Sequence, residues 1–323
     1  MPVESFVGVD VGGGGIRVRA LLRDVLVKAR SRGAVARREG RIDVAALGHR
    51  LERLLDDEPG FRDRPHIRRL AIGLTGMPEL LDPHSLAREI RNRIPCDSVV
   101  IASDALTTHI GALGGRAGTI VAAGTGVIAC ATDHASVWVR VGGWGHLIGD
   151  EGGGSWIGAE AVRAALRQSD GRPGGSAALL THLEERFGDP EGAVAQIYGS
   201  PSPVHELAAF APLAASAARA GDQVAASIWQ RAGEQLAEVA CAAGHGLPPH
   251  FSWGGKLFDV GELLLDPLRA AIMRTMPDAV LTVPEGQAAE GALRLATTGL
   301  GRSAIALVPD AREYSFAQTA ARS

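Results

Sequence analysis

A pattern that occurs twice limits the folds open to this chain: an apolar strand, a glycine-rich turn and a second apolar strand. Residues 5–11 (SFVGVDV) run into Gly12, Gly13, Gly14 and Gly15, and 16–22 (IRVRALL) follow. Roughly a hundred residues on, 118–123 (GTIVAA) lead into Gly124, Thr125 and Gly126, and 127–132 (VIACAT) follow. Ile16, Val18 and Ala20 alternate with Arg17 and Arg19, the period of a strand covered on one face. Strands joined by such a turn read as a β-hairpin. Each unit opens a stretch that passes from β-rich to helical, which points to an α/β chain made of two related domains. Two unrelated hairpins are the alternative.

Further elements follow from periodicity. A third strand is expected at 25–31, and residues 43–57 put Val44, Leu47, Leu51, Leu54 and Leu55 on one helical face. Strands are expected near 67–74 and 98–102, with Asp104 opening a helix that runs to about Leu113. After a strand at 136–141 the second half reads as helical: 155–168, 176–187, 205–219 and 222–244. In the last of these Val224, Ile228, Ala232, Leu236 and Ala240 recur every four residues behind a cap at Asp222. A strand at 250–253 meets Gly254 and Gly255, then come a helix at 259–274, a strand at 279–283 and a helix at 286–298. The domains expected are 1–115 and 116–300, with 301–323 as a tail that packs back or is partly disordered.

Bulk properties exclude several classes. The chain has 323 residues and a net charge of −3, so no basic field draws in nucleic acid or anionic lipid. Its start lacks the basic and long apolar stretches of a signal peptide, and no apolar run approaches the ~18 residues of a membrane span. Cys96, Cys130 and Cys241 lie too far apart for a metal knuckle or a disulfide framework. A soluble cytoplasmic protein is expected, with no nucleic-acid or membrane partner.

The 42 glycines cluster between strands, where they allow close backbone approach to a ligand. Triphosphate oxygens are well held by backbone N–H groups presented from turns. No GxxxxGK[ST] sequence occurs, and the first cluster lacks the spacing of a dinucleotide fingerprint. Two glycine hairpins remain that could face each other across a cleft, with a third turn at Gly254 and Gly255. Asp10 leaves an apolar strand beside the first turn. It reads as an indirect Mg2+ ligand, or as a turn aspartate bonding its own backbone. Asp104 follows the apolar run Val99–Ala102; alone, it reads as a helix N-cap. Segment 142–158 (GGWGHLIGDEGGGSWIG) holds two tryptophans and the Asp150-Glu151 pair. Aromatic faces and carboxylates suit a neutral sugar, with Asp150 functional and Trp156 in the core.

These stretches resemble a known family. FVGVDVGGGG, ASDALTTHIGAL, GTIVAAGTGVIA, GGWGHLIGDEGGGSWIGAEAVRAAL, WGGKLFD and PEGQAAEGAL look like the BadF/BadG/BcrA/BcrD-type ATPases, and within them the N-acetylglucosamine kinase branch. The resemblance covers about residues 5–298. It implies an actin/hexokinase-like fold of two ribonuclease-H-like domains with ATP in the cleft between them. By position it implies Asp10 and Gly12–Gly15 as the first phosphate loop, and Gly124, Thr125 and Gly126 as the second. Asp104 becomes the base and a sugar ligand, Gly143, Trp144, Gly145 and Asp150 contact the sugar, and Gly254 and Gly255 lie on the adenosine side.

Two departures stand out. Gly14, Gly15 and Ile16 occupy the stretch where the family has a Thr or Ser, and residues 30–41 contain no sugar-binding asparagine. That segment holds five arginines, which read as a solvated loop or as a place for an acidic substrate. The function implied is transfer from ATP, with Mg2+, to an amino sugar at O6, and a homodimer is left open. The rivals are an ATPase that activates a partner enzyme and a non-catalytic sugar or nucleotide sensor. Three scattered cysteines speak against the first, because that branch needs them for an iron–sulfur cluster.

Overall fold

The structure, a computed structural model, describes residues 4–39, 41–75, 83–298 and 312–315. Along the chain come β1 (Ser5–Gly12), β2 (Gly15–Leu22), β3 (Val25–Arg32), β4 (Arg37–Arg38), β5 (Arg41–Ile42), α1 (Val44–Asp56), β6 (Ile67–Leu74), α2 (Pro83–Arg93), β7 (Cys96–Ser103) and α3 (Asp104–Ala112). Next are β8 (Gly118–Ala123), β9 (Val127–Thr132), β10 (Trp138–Gly142), α4 (Gly154–Ser169), α5 (Ala177–Phe187), α6 (Pro190–Gly199), α7 (Pro203–Ala208), α8 (Ala211–Arg219) and α9 (Gln223–Gly244). The chain closes with β11 (His250–Gly254), α10 (Glu262–Thr275), β12 (Val280–Leu281), α11 (Ala288–Thr297) and β13 (Arg312–Ser315).

Two compact units form. One comprises Met1–Ala117, Thr132–Trp138 and Val283–Ser323, the other Gly118–Ala131 and Val139–Thr282. The chain thus leaves the first unit and returns to it, a path that a contiguous division near residue 115 does not contain.

The first unit holds a six-stranded sheet in the order β13-β7-β6-β1-β2-β3. β1 pairs antiparallel with β2 and parallel with β6, and β6 pairs parallel with β7. The alternation seen in the sequence divides the two faces. Val7, Val9, Val11, Ile16, Val18 and Ala20 bury against Leu47, Leu51 and Leu55 of α1 and Leu86 and Ile90 of α2. On the other face Ala71, Val100 and Ala102 meet Leu106 and Ile110 of α3 and Leu295 and Ala296 of α11.

Glycine permits that second layer. A Cβ at Gly8 on β1 would lie 2.1 Å from the Leu293 amide nitrogen, so α11 rests with its backbone on the strand. A Cβ at Gly291 would lie 1.8 Å from the Thr107 carbonyl oxygen, and one at Gly111 2.3 Å from that of Gln287. α3 and α11 therefore touch main chain to main chain. Gly73 on β6 makes room for Thr107 in the same way.

The second unit holds a five-stranded sheet in the order β10-β9-β8-β11-β12, with β11 parallel to both β8 and β12. Numbered within its own unit, each sheet contains strands in the order 3-2-1-4-5. The shared order is what a duplicated fold requires. A single apolar cluster fills this unit, with Ala225, Ile228, Trp229, Ala232, Leu236 and Ala240 of α9 at its centre. The Asp222 carboxylate caps α9 by accepting from the Ala225 amide at 2.7 Å.

Several expectations shift. The helix expected at 205–219 is two, α7 and α8, because Pro212 cannot continue a helix and instead sits in the first turn of α8. α6 was not expected, although Asp189 and Pro190 are a start signal and the Asp189 side chain accepts from the Gly192 amide. The helix expected from 259 begins at Glu262, after a 3-10 turn at Lys256–Val260. Of the tail, 312–315 pair antiparallel with β7 as an outer strand; residues 301–311 and 316–323 lie outside the described residues. No helix among the described residues is long and apolar enough to cross a membrane.

Gly291→Ala tests the main-chain contact. In an open helix this change stabilises by up to about 1 kcal/mol. Here the added Cβ strikes a carbonyl, and a net loss of about 1–3 kcal/mol is expected, as for overpacked cores, measurable by urea unfolding.

Candidate active site

In the first unit three parallel strands end side by side, and each delivers one group. β1 ends at Gly12, β6 passes into Thr75, and β7 ends at Ser103 before Asp104. Ligands of open α/β sheets bind at such carboxyl ends. The Thr75 amide donates to the Val11 carbonyl at 3.0 Å, extending the β1–β6 pairing by one residue. Its hydroxyl donates to Asp104 Oδ2 at 2.6 Å.

The cap expected at Asp104 falls instead to its neighbour. Ser103 is the N-cap, its hydroxyl accepting from the Leu106 amide at 3.4 Å, and Asp104 is the first helical residue. Its carboxylate accepts from the Thr75 hydroxyl.

Asp10 lies on the face of the sheet that carries α11, because its neighbours Val9 and Val11 point into the opposite core. It is 5% exposed, and Arg17, its cross-strand partner, donates to Oδ2 at 2.7 Å. Burial pushes the Asp10 carboxyl above the ordinary carboxylate range, against the hydrogen bond and charge of Arg17, while the Asp104 and Glu290 carboxylates add to the rise. Three carboxylates and Arg17 thus share one electrostatic neighbourhood. Glu290, in the first turn of α11, accepts from Arg19 Nε at 2.5 Å and from the Gln287 amide at 3.1 Å.

Of the first glycine turn, Gly12 and Gly13 are not required by packing: a Cβ at Gly13 would meet nothing within 4 Å, and one at Gly12 only the Thr75 hydroxyl at 3.8 Å. Gly15 is required, since its φ is +135° and a Cβ would lie 2.0 Å from the Ser31 carbonyl. The Gly14 carbonyl accepts from the Gly33 amide at 3.2 Å. Lys28, Arg30 and Arg32 on β3 are exposed to solvent.

The second unit repeats the arrangement. Gly124, Thr125 and Gly126 join β8 to β9, and Gly254 and Gly255 follow at the end of the parallel strand β11. Gly255 has φ +95°, and a Cβ there would lie 2.1 Å from the Ala123 carbonyl, so the two turns are in contact. The start of α4 braces the first of them: the Gly154 amide donates to the Gly124 carbonyl at 2.8 Å, and the Ser155 amide and hydroxyl both donate to Thr125 O, at 3.0 and 2.8 Å. Gly124 itself is open: a Cβ there would meet nothing within 4 Å, so packing does not demand glycine.

Asp150 also belongs to this turn. Its backbone is left-handed with φ +60°, rare for a residue with a side chain, and Oδ1 accepts from the Val127 amide at 3.3 Å. Its Oδ2 would lie 2.3 Å from a Cβ on Gly126. Gly143, Trp144 and Gly145 precede it in a segment where Gly142, Gly143 and Gly145 all have positive φ. Trp144 is 72% exposed, with Arg140 over its ring at 5.9 Å. Trp156 packs against the core, as expected.

Thr75, Ser103, Arg17 and Ser155 were not singled out in the sequence. The available signal for Thr75 was a hydroxyl residue at the end of a buried strand, one position beyond its last apolar side chain.

A metal test is possible on side chains alone. Among the described residues no group of three or more His, Cys, Asp or Glu side chains could hold an ion. One buried carboxylate, Asp10, with an oxygen committed to Arg17, fits only a cation that keeps waters and takes its other ligands from phosphate. The groove of about 530 Å³ between α9 and α10 is lined by other residues, among them Glu234, Glu238, Cys241, His245 and Arg274.

The paired α/β sheets define an actin/hexokinase-like fold. The chain belongs to the BadF/BadG/BcrA/BcrD ATPase family, whose sequence profile it matches over residues 7–296. The N-acetylmuramic acid/N-acetylglucosamine kinase of Clostridium acetobutylicum is 31% identical over 169 residues, 52% of this chain and 55% of that protein. The N-acetyl-D-glucosamine kinase of Dictyostelium discoideum is 28% identical over 204 residues, 60% of this chain and 61% of that protein. The chain therefore spans little more than half the length of these curated relatives. Among solved structures, a candidate N-acetylglucosamine kinase of Chromobacterium violaceum superposes with a TM-score of 0.68 at 28% identity, covering 91% of this chain and 99% of that one. A ROK family glucokinase of Streptomyces griseus, in complex with glucose and AMPPNP, shares the fold at a TM-score of 0.56 and 18% identity, covering 91% and 100%.

The Asp10–Arg17 pair yields a pH prediction. Arg17→Met removes the partner that holds down a carboxyl already raised by burial, so the folded-state pKa rises further above the unfolded value. The loss of stability is then absent below about pH 4, the unfolded value, and grows as pH rises through the folded one. Arg17 is partly exposed, so a loss of about 1–2 kcal/mol is expected at pH 8, with almost none at pH 3.5, by urea unfolding at both.

Proposed function

We propose that this chain is an ATP-dependent kinase of an amino sugar, such as N-acetylglucosamine or glucosamine, transferring phosphate to O6. The observation that carries the reading is Asp104. It stands at the carboxyl end of β7, where Ser103 supplies the helix cap and the Thr75 hydroxyl donates to its carboxylate. The kinase names of the relatives support the same class.

In this reading the amides of Gly12–Gly15 and of Gly124–Gly126 bind the phosphates of ATP, with Gly254 and Gly255 on the adenosine side. Open space at Gly12, Gly13 and Gly124 suits a phosphate better than a side chain. Gly143, Trp144, Gly145 and Asp150 meet the sugar, the exposed indole offering an apolar face. Asp104 accepts the proton of the sugar hydroxyl as its oxygen bonds to the γ-phosphorus, and the bond from that phosphorus to the β-phosphate oxygen breaks to release ADP. Phosphoryl transfer asks the protein chiefly for such positioning and charge stabilisation. Mg2+ held through water near Asp10 would offset charge on the phosphate oxygens.

Asp104→Asn is expected to lose about 10²–10⁴-fold in turnover while ATP still binds. The measurement is ADP release across a panel of amino sugars and hexoses. Release that sugar does not stimulate supports an ATPase, and binding without turnover supports a sensor. Wild-type-like turnover by the asparagine variant removes Asp104 from the role.

Gly13→Ala separates ligand from packing. Its thermal midpoint is expected to match the wild type, as for a neutral surface change within about 0.5 kcal/mol. ATP affinity by calorimetry is expected to fall at least about tenfold, or 1.4 kcal/mol.

A further inference from the structure

We propose that Thr75 is a positioning residue for the base. Its hydroxyl fixes the plane of the Asp104 carboxylate and ties that plane to the first glycine turn. The inference rests on the reading of Asp104 as the base and adds a residue to it.

Thr75 is held from two sides. Its amide bonds to the Val11 carbonyl at 3.0 Å, one residue before the turn begins at Gly12. Its hydroxyl bonds to Asp104 Oδ2 at 2.6 Å, the ordinary length for a hydroxyl on a carboxylate. A Cβ on Gly12 would lie 3.8 Å from that hydroxyl, so turn and hydroxyl are in van der Waals range. The residue therefore links the ends of three neighbouring strands: its amide bonds to β1, its backbone continues β6, and its hydroxyl bonds to the residue that follows β7.

A second contact holds the other end of the same residue. Thr107 Oγ1 donates to the Asp104 carbonyl at 3.1 Å. Thr107 in turn packs on Gly73, two residues before Thr75. The backbone and the carboxylate of Asp104 are thus each fixed by a hydroxyl that β6 positions or supports. Threonine suits the place because its branched Cβ has few χ1 wells, so the hydroxyl direction is defined by the backbone.

An in-line displacement needs the base, the attacking oxygen and the phosphorus in one geometry, and an error of about 1 Å can cost on the order of 10²-fold. A residue that links the phosphate turn to the base would keep the two in register. No proton or phosphoryl group passes through Thr75.

The test compares Thr75→Val, which keeps the shape and removes the hydroxyl, with Thr75→Ser, which keeps the hydroxyl. With Thr75→Val, kcat is expected to fall roughly 10- to 100-fold while KM for ATP and sugar stay within about twofold. Thr75→Ser is expected to recover most of the rate. Unchanged kcat in the valine variant, a loss confined to KM, or no recovery with serine overturns the proposal.

A readout independent of turnover is the carboxyl 13C resonance of Asp104, assigned with Asp104→Asn. It is expected to move in Thr75→Val and to return in Thr75→Ser. A resonance that stays in place overturns the positioning role. Full turnover by Asp104→Asn instead overturns the reading of the base, whatever the resonance does. If Thr75→Val does not fold, Thr75→Ala replaces it with the same expectations.

Discussion

The first unit depends on two helices lying with bare main chain against their neighbours. α11 rests on Gly8 of β1, and α3 meets α11 through Gly111 and Gly291. At such distances any Cβ would strike a carbonyl or an amide, so the contact exists only with hydrogen in its place. Everything proposed for Asp104 follows from that closeness. α3 presents Asp104 as its first residue, and α3 is held against the sheet by Thr107 on Gly73 and against α11 by glycine. Glu290 adds a charged tie, pairing with Arg19 from the sheet while closing its own helix cap. A catalytic carboxylate must keep its position to a fraction of an ångström, and dense backbone packing gives that without a long, flexible side chain to order.

The two units solve one problem with different chemistry. In each, parallel strands end together and a glycine turn follows the first strand. In the first unit a carboxylate and a hydroxyl stand beside that turn. In the second, the braces are the Ser155 hydroxyl, the first amides of α4 and the strained Asp150. The first unit thus carries groups that can move a proton, while the second shapes a turn.

Much of this was legible from residue order. The β1–β2 hairpin, the alternation of Ile16, Val18 and Ala20, and the cap at Asp222 are local signals, and the structure contains all of them. What escaped was long-range. Thr75 gains meaning only when β6 lies between β1 and β7, a neighbour relation that no spacing encodes. The cap falls one position before Asp104, because the Ser103 hydroxyl accepts from the Leu106 amide and Asp104 is the first helical residue. Gly8 and Gly291 carry no local signal, since their role depends on elements that meet across most of the chain's length. The glycine turns were visible as clusters, yet the sequence could not separate Gly15 and Gly255, which packing demands, from Gly12, Gly13 and Gly124, which it does not.

The chain's departure from the first unit and return to it has a consequence for biosynthesis. When Ala117 has been made, the sheet of that unit has β1, β2, β3, β6 and β7 but no α11, so Gly8 stays bare and the apolar face with Ala71, Val100 and Ala102 has only α3 to cover it. At about 5–20 residues per second, the covering helix is made on the order of ten to thirty seconds later. Through that interval the nascent chain carries a sticky, half-finished layer while an entire second unit is being synthesised. The second layer of the first unit is therefore closed only after the insert is made, and the waiting time is set by the length of that insert.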